Sequence, residues 1–285
     1  MSTRPVRTPL ILLAAAWLLA PVQAQQFRQV PPYYILVTND DGVRAPGIAA
    51  VAQALQVIGT PVIVAPADNQ TGKGQSVVTA EPVFRQDMTL PNGLPAIGLT
   101  STPASTVSIA ISNIVKPRPD LVVSGVNTEY NLGLSTEVSG TVGAAREAAR
   151  HGIPAIAASM SGAAFPRDLV FAAEEVVWVA RRVKQYGLPP NTFLNVNIPG
   201  VPPGGYKGYQ ITRQGQVRTG QEGFAEMKHP SGRTIYWSVY NERVSAPQPE
   251  GTDFWAVENG YVSVTPMSID ETDRAQFDAL KAIFK

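Results

Sequence analysis

Two adjacent carboxylates, Asp40 and Asp41, follow a run of apolar residues and precede a glycine. Neighbouring anions repel each other unless a cation lies between or beside them. A hard divalent cation such as Mg²⁺ or Mn²⁺ takes oxygen ligands, so it would relieve the repulsion and use both side chains. A solvated turn explains the same residues, because Asn-Asp-Asp-Gly is favourable turn sequence and Asp can cap a following helix. The pair alone leaves both alternatives open.

A polar loop at residues 68–76 combines glycines, hydroxyls, amides and one lysine, Lys73. Glycine lets backbone N–H groups approach an anion closely, and the polar side chains can complete a phosphate or metal shell. The spacing of its glycines and of Lys73 differs from that of a Walker loop. An ordinary polar loop explains this composition more simply. Its candidate ligands are Asn69, Thr71 and Gly72.

Two later segments add candidate ligands. Asn127 follows another apolar run, in a polar stretch that contains glycine. Ser139, Gly140 and Thr141 precede an alanine-rich run, which predicts the N-terminus of a helix whose unpaired N–H groups can hold an anion. For this segment alone, a helix cap with a glycine for close packing is the simpler interpretation.

These candidates need a scaffold that brings them together. Residues 33–37 are apolar without alternation, which predicts a strand buried on both faces, as at the centre of a parallel sheet. Residues 46–58 carry apolar side chains every three or four positions and predict a helix, and a short strand at 61–66 completes a β-α-β unit. The carboxyl ends of such strands line the ligand crevice of open α/β sheets. Asp40, Asp41 and Asn127 therefore follow strands where chemistry is expected.

The rest of the chain up to residue 190 predicts further strands and helices. After residue 190 the sequence becomes rich in Gly, Pro, Gln and β-forming residues. The expected elements up to there are a hairpin within 81–99, a helix beginning at 101, strands at 120–124 and 153–158, and a helix at 167–186 with Trp178 in the core. Beyond it we expect a smaller β-rich lobe, with strands at 208–213, 234–240 and 260–265, no helix before the C-terminus, and a terminal helix at 270–284. The predicted organisation is a signal peptide at 1–24, a core at 25–190, and a C-terminal lobe at 191–285.

Composition and charge exclude several classes of function. Residues 1–24 have the charged, apolar and small-residue regions of a secretory signal peptide, so export, as to a periplasm, with cleavage near Ala24 is expected, and no later stretch could span a membrane. Without Arg4 and Arg7, 23 basic and 22 acidic residues become 21 and 22, a net charge of −1. A protein with this balance lacks the excess of positive charge that is typical of proteins that bind a nucleic-acid polymer. The chain has no cysteine, which excludes thiolate chemistry, and its histidines, His151 and His229, lack metal-ligand spacing.

Taken together, the ordered motifs resemble one family, the SurE nucleotidases, over about residues 33–270. The stretches that carry the resemblance are Val37-Thr38-Asn39-Asp40-Asp41-Gly42, Asn69-Gln70-Thr71-Gly72, Ser101-Thr102-Pro103, Ser124-Gly125-Val126-Asn127, Ser139-Gly140-Thr141-Val142, Asn195-Val196-Asn197-Ile198-Pro199 and Gly251-Thr252-Asp253-Phe254-Trp255. The resemblance implies an α/β fold with a Rossmann-like, doubly wound and mostly parallel sheet. It also implies one divalent metal ion, Mg²⁺ or Mn²⁺, and hydrolysis of nucleoside monophosphates or other small phosphomonoesters.

The resemblance also assigns roles to residues. The family's metal ligands fall on Asp40, Asp41, Thr71 and Asn127, of which Asp40, Asp41 and Asn127 are also the expected catalytic residues. The expected substrate contacts are Asn69, Thr71, Gly72, Ser139, Gly140 and Thr141. Thr71 departs from the family's usual serine within the metal-ligand set; it keeps the hydroxyl but adds a methyl, which is expected to weaken or reshape the coordination. Ser101, Ser105, Thr106, Ser135 and Val138 also replace common residues, which leaves the metal ligands intact and alters the expected substrate preference. Family members form dimers or tetramers through the C-terminal lobe, so a homodimer or homotetramer is expected.

The expected mechanism is direct hydrolysis, in which a metal-activated water attacks phosphorus. One alternative is a haloacid-dehalogenase-type phosphatase, but that family needs Asp-x-Asp and a covalent phosphoenzyme. Another is an exported nucleotide-binding or assembly protein that kept the site and lost turnover. A dinucleotide-dependent oxidoreductase is disfavoured, because no G-x-G-x-x-G motif follows the first strand.

Overall fold

A computed structural model of the protein describes residues 31–161, 166–200, 205–217, 220–241 and 247–284. The predicted signal peptide lies outside these residues. Within them, the strands are β1 (Tyr34–Thr38), β2 (Thr60–Pro66), β3 (Arg85–Thr89), β4 (Pro95–Leu99), β5 (Leu121–Asn127), β6 (Ala155–Met160), β7 (Thr192–Ile198), β8 (Tyr209–Ile211), β9 (Gly220–Lys228), β10 (Thr234–Asn241) and β11 (Val262–Ser268). The α-helices are α1 (Pro46–Leu55), α2 (Pro103–Ile109), α3 (Gly140–Arg150), α4 (Pro166–Tyr186), α5 (Asp253–Glu258) and α6 (Arg274–Ile283).

The main sheet has nine strands in the order β3-β4-β2-β1-β5-β6-β7-β11-β8. The six strands from β4 to β7 in this order are parallel, while β3 and β11 are antiparallel to β4 and β7. The strands β9 and β10 form a separate antiparallel pair. This mostly parallel α/β architecture confirms the predicted fold class, and the antiparallel pairing of β3 with β4 confirms the predicted hairpin.

The strand β1 lies at the centre of the sheet and is buried on both faces, as its sequence predicts. Val37 packs in one apolar cluster with Ile48 of α1 and Val176 of α4. Leu36 faces the opposite cluster, with Val107 of α2 and Ala145 of α3. Because helices cover both faces, the side chains at the end of β1 meet solvent only at the edge of the sheet. The described helices include none that is long and apolar enough to cross a membrane.

Two expectations for this scaffold are wrong. Trp178 is 39% exposed rather than in the core, because it lies outside the apolar stripe of α4, and it stacks on Tyr209 with ring centroids 3.7 Å apart. The segment after residue 200 does contain a helix before the terminal one, α5, whose cap Thr252 accepts a hydrogen bond from the Trp255 N–H at 3.3 Å. Of the segment after residue 190, β7, β8 and β11 extend the main sheet. The division of the chain into a core at 25–190 and a separate lobe at 191–285 stays a prediction.

Candidate metal and phosphate site

The acidic pair and Asn127 lie at the same edge of the main sheet. The neighbouring parallel strands β1 and β5 pair in a register that places Thr38 beside Ser124. Asp40 lies two residues beyond Thr38, and Asn127 lies three residues beyond Ser124 as the last residue of β5. The Asn127 side-chain amide donates to the Glu129 carbonyl oxygen at 2.7 Å, and the Glu129 carboxylate in turn affects the ionisation of Asp41. The structure therefore places three of the four predicted metal ligands at the same edge of the sheet, and their role as ligands stays a prediction.

A tight turn holds the acidic pair in place. The Asn39 side-chain amide donates to the Gly42 carbonyl oxygen at 2.9 Å, and Gly42 has a φ of +102°, which favours glycine. On the other side of the turn, Gly47 lies against the Val126 carbonyl oxygen, and a Cβ added to it would stand 2.1 Å from that oxygen. The start of α1 therefore rests directly on β5.

The predicted polar loop is attached to this turn. The Gln70 N–H donates to the Asp40 carbonyl oxygen at 2.7 Å, and the Gly74 N–H donates to the Val138 carbonyl oxygen at 2.9 Å. Between these two anchors lie Thr71 and Gly72, both exposed. The Asn69 side-chain oxygen accepts a hydrogen bond from the Thr71 N–H at 2.8 Å, which leaves its amide group as the donor available to a ligand. The loop thus joins the acidic pair to the segment that precedes α3.

The N-terminus of α3 packs directly on Asp40. Ser139 caps the helix by accepting a hydrogen bond from the Val142 N–H at 3.2 Å. A Cβ added to Gly140 would lie 2.7 Å from the Asp40 Cβ, so only glycine allows this approach. The hydroxyl of buried Thr141 donates to Asp40 Oδ1. This contact orients the carboxylate, and the predicted roles of Ser139, Gly140 and Thr141 as phosphate contacts stay predictions.

The folded protein disfavours ionisation of the Asp40 and Asp41 carboxyl groups. Burial raises the pKa of Asp40, and the Thr141 hydroxyl and the N–H groups of Gly140 and Thr141 oppose that rise. The pKa of Asp41 is raised to about 6, first by burial and then by the charges of Asp40 and Glu129. Neither carboxylate has an ion-pair partner among the residues that the structure describes. The site has negative charge that a cation would stabilise.

The donors present fit a hard divalent cation. The buried oxygens Thr38 Oγ1, Asn39 Oδ1 and Ser124 Oγ, at the ends of β1 and β5, have no hydrogen-bond partner within the described structure, and buried polar atoms normally have one. The described residues contain no cluster of three or more His, Cys, Asp or Glu side chains suited to a metal. The acidic pair would therefore be completed by hydroxyl, amide and water oxygens, a set typical of Mg²⁺ or Mn²⁺.

Asp253 supports this site from a distance, and the sequence gives no local signal of that role. Its buried carboxylate accepts hydrogen bonds from the Gly133 N–H at 2.8 Å and from the Gly215 N–H at 2.9 Å. Gly133 begins a 3₁₀ turn, Gly133–Glu137, that connects Asn127 to the cap of α3. Since 120 positions separate Asp253 from Gly133, only the folded structure reveals the contact.

A cavity of about 820 Å³ lies along α3 and shares Ser139, but not the acidic pair, with the predicted site. Ser139, Gly143, Arg146 and Arg213 belong to its lining, but among the described residues neither Asp41 nor Asn127 does. The chemistry expected from the acidic pair therefore belongs to the edge of the sheet rather than to this cavity.

Comparison with known proteins identifies relatives over most of the chain. A family model described as survival protein SurE matches residues 35–221. The 5′-nucleotidase SurE of Geobacter metallireducens is 39% identical over 248 residues, which cover 87% of this chain and 96% of that protein. The 5′-nucleotidase SurE 1 of Thermus thermophilus is 39% identical over 253 residues, covering 88% and 98%. The crystal structure of the SurE protein from Aquifex aeolicus has a TM-score of 0.73 and 35% identity, covering 88% of this chain and 100% of that one.

Proposed function

The chain belongs to the SurE family, and we propose on that premise that it is a divalent-metal-dependent phosphomonoesterase that releases phosphate from nucleoside 5′-monophosphates. One observation carries the proposal. The carboxylates of Asp40 and Asp41 share a sheet edge with Asn127 and the N-terminus of α3, and no protein cation among the described residues neutralises them. The site thus offers ligands for a cation beside hydrogen-bond donors for an anion in the loop that holds Asn69 and Gly72.

The reaction is hydrolysis of the ester bond. As the water oxygen forms a bond to phosphorus, the bond to the ester oxygen breaks. The water loses one proton and the leaving alkoxide gains one, which gives an alcohol and inorganic phosphate. A divalent cation, when bound, neutralises phosphate charge and makes a coordinated water more acidic.

The chain's own residues hold and orient these groups. Asp40, Asp41, Thr71 and Asn127 would hold the cation. Because Thr141 donates to one oxygen of Asp40, the carboxylate is held in one orientation, and its other oxygen would orient the attacking water. The Gly72 N–H and the side-chain amide of Asn69 would donate to the non-reacting phosphate oxygens as charge builds on them.

A phosphate-release panel tests this function. The purified protein is assayed with nucleoside monophosphates and an aryl phosphate in each divalent metal, then with excess chelator, then with metal restored. We expect phosphate release that the chelator abolishes and metal restores. Asp41→Ala should be inactive with an unchanged folded spectrum. Full activity under excess chelator, or nucleotide binding without phosphate release in every metal, would contradict the proposal.

Three finer points extend the proposal: the cation is Mg²⁺ or Mn²⁺, the protein is exported, and it assembles as a homodimer or homotetramer through residues beyond about 200. Exposed apolar side chains support the assembly, since Trp237 on β10 is 67% exposed and Ile283 on α6 is 72% exposed. Light scattering of the purified protein tests the assembly. N-terminal sequencing of protein recovered from the cell envelope tests export.

A further inference from the structure

Lys73 lies in the loop that joins the acidic pair to α3. Its N–H donates to the Gln70 carbonyl oxygen at 3.2 Å, and the Gln70 N–H donates to the Asp40 carbonyl oxygen at 2.7 Å. The next residue, Gly74, donates to the Val138 carbonyl oxygen at 2.9 Å. The backbone of Lys73 is therefore held at both ends by segments of the candidate site.

The position places the lysine at the mouth of the site. Gln70 to Lys73 form a turn closed by the hydrogen bond between their backbones, so their Cα atoms are within about 7 Å of each other. Thr71 and Gly72, a predicted metal ligand and a predicted phosphate contact, are the central residues of this turn. A lysine side chain is a flexible four-carbon stem that ends in a compact charge. From this anchor, it can extend over the space between Thr71 and the cap of α3.

The Lys73 side chain is exposed, and its ammonium group has no partner in the described structure. Other lysines of the chain are engaged. The ammonium of Lys116 donates to the Ser112 carbonyl oxygen at 2.7 Å, and that of Lys184 donates to the Ile58 carbonyl oxygen at 2.6 Å. The charge of Lys73 is thus free to meet an incoming anion.

We propose that Lys73 is a substrate-binding residue that closes over the non-reacting oxygens of a phosphomonoester dianion. This inference rests on the proposed function. It also explains why the site would prefer a doubly charged phosphate group. A monoester dianion presents more charge to the ammonium than a singly charged diester does. Because the charge on these oxygens persists during transfer of the phosphoryl group, the contact stabilises both the bound substrate and the transition state.

The test compares Lys73→Gln and Lys73→Arg with Lys116→Gln, an exposed control that lies before β5 at the opposite edge of the sheet. We expect Lys73→Gln to lower kcat/KM for a nucleoside monophosphate by about 10- to 150-fold, the range for one hydrogen bond to a charged group. Most of that loss should be in KM. Lys73→Arg should recover activity to within about threefold because it keeps the charge, and Lys116→Gln should match the wild type.

Two further measurements separate binding from a structural effect. Raising salt from 20 to 300 mM should weaken the wild type more than Lys73→Gln, because screening acts on the charge that the variant lacks. Calorimetric titration with inorganic phosphate in Mn²⁺ measures the same contact without turnover and should show the same fold-loss. Equal phosphate affinity in wild type and Lys73→Gln would overturn the proposal even if the protein proved to be active. Absence of catalysis with a phosphate affinity that depends on Lys73 would instead contradict the proposed function alone.

Discussion

Replacing Asp41 by Asn removes one negative charge from the candidate site and keeps the size of the side chain. In the metal-free protein, the pKa of Asp41 is raised from 3.8 to about 6 by burial and by the charges of Asp40 and Glu129. An acid whose pKa is higher in the folded protein stabilises the fold at low pH, and that stabilisation is lost as pH rises through the folded pKa. At pH 7.5 the ionised side chain therefore destabilises the metal-free protein.

The size of this effect follows from the shift. A difference of about 2 pH units corresponds to at most ~3 kcal/mol at ~1.4 kcal/mol per unit. Because Asp41 is half-buried and solvent screens its charge, we expect about 1 kcal/mol. For a chain of this size, that amounts to about 2–4 °C in Tm. Asp41→Asn should therefore melt a few degrees higher than the wild type at pH 7.5 in chelator and should show little gain at pH 4.

The assay is thermal unfolding with and without Mn²⁺, together with phosphate release. Asp41→Asn should lose the metal-induced rise in Tm and the activity while it gains stability without metal. The matched control is Asp87→Asn on β3, an exposed acid whose partner Arg85 lies 2.6 Å away; it should keep the response to metal. A variant that is less stable than the wild type in chelator at pH 7.5, or that still responds to Mn²⁺, would refute the reasoning.

The other predictions concern the contacts around the acidic pair. Thr141→Val removes the hydroxyl that orients Asp40, so Mn²⁺ affinity and kcat should fall about tenfold with Tm nearly unchanged, and an unchanged kcat would contradict the orienting role. Gly140→Ala places a Cβ 2.7 Å from that of Asp40, so activity should be lost while circular dichroism still shows a folded protein. Asp253→Asn places an amide group against the N–H of Gly133 or Gly215, so urea unfolding should show a loss of about 1–3 kcal/mol, and equal midpoints would show that the contact is unimportant.

The sequence is sufficient to predict the elements with a strong local signal. The unbroken apolar run before Asp40 predicts a central strand, and β1 is buried on both faces. The spacing after Pro46 predicts α1. The chain order of these elements then places Asp40 and Asn127 at the same edge of a parallel sheet, because both lie at the carboxyl ends of central strands. These features depend on the periodicity of side chains along the chain, which the sequence shows directly.

The contacts that shape the site depend on tertiary packing. From the sequence alone, Gly140 is interpreted as part of a helix cap. Only the approach of α3 to the end of β1 shows that the missing side chain of Gly140 makes room for Asp40. The role of Asp253 depends on residues far away in the chain. The helix α5, with six residues, is too short to show a periodic pattern. Trp178 stacks on a tyrosine of β8, an edge strand whose position no local pattern predicts.

The location of the bound cation tests the central claim most directly. Crystals grown with Mn²⁺ and measured at the manganese absorption edge would locate the ion by its anomalous scattering. We predict a single strong peak at about 2.0–2.3 Å from carboxylate oxygens of Asp40 and Asp41 and from the side-chain oxygen of Asn127. A peak away from these residues, or none in crystals of a protein that hydrolyses nucleotides in the same Mn²⁺ solution, would contradict the account.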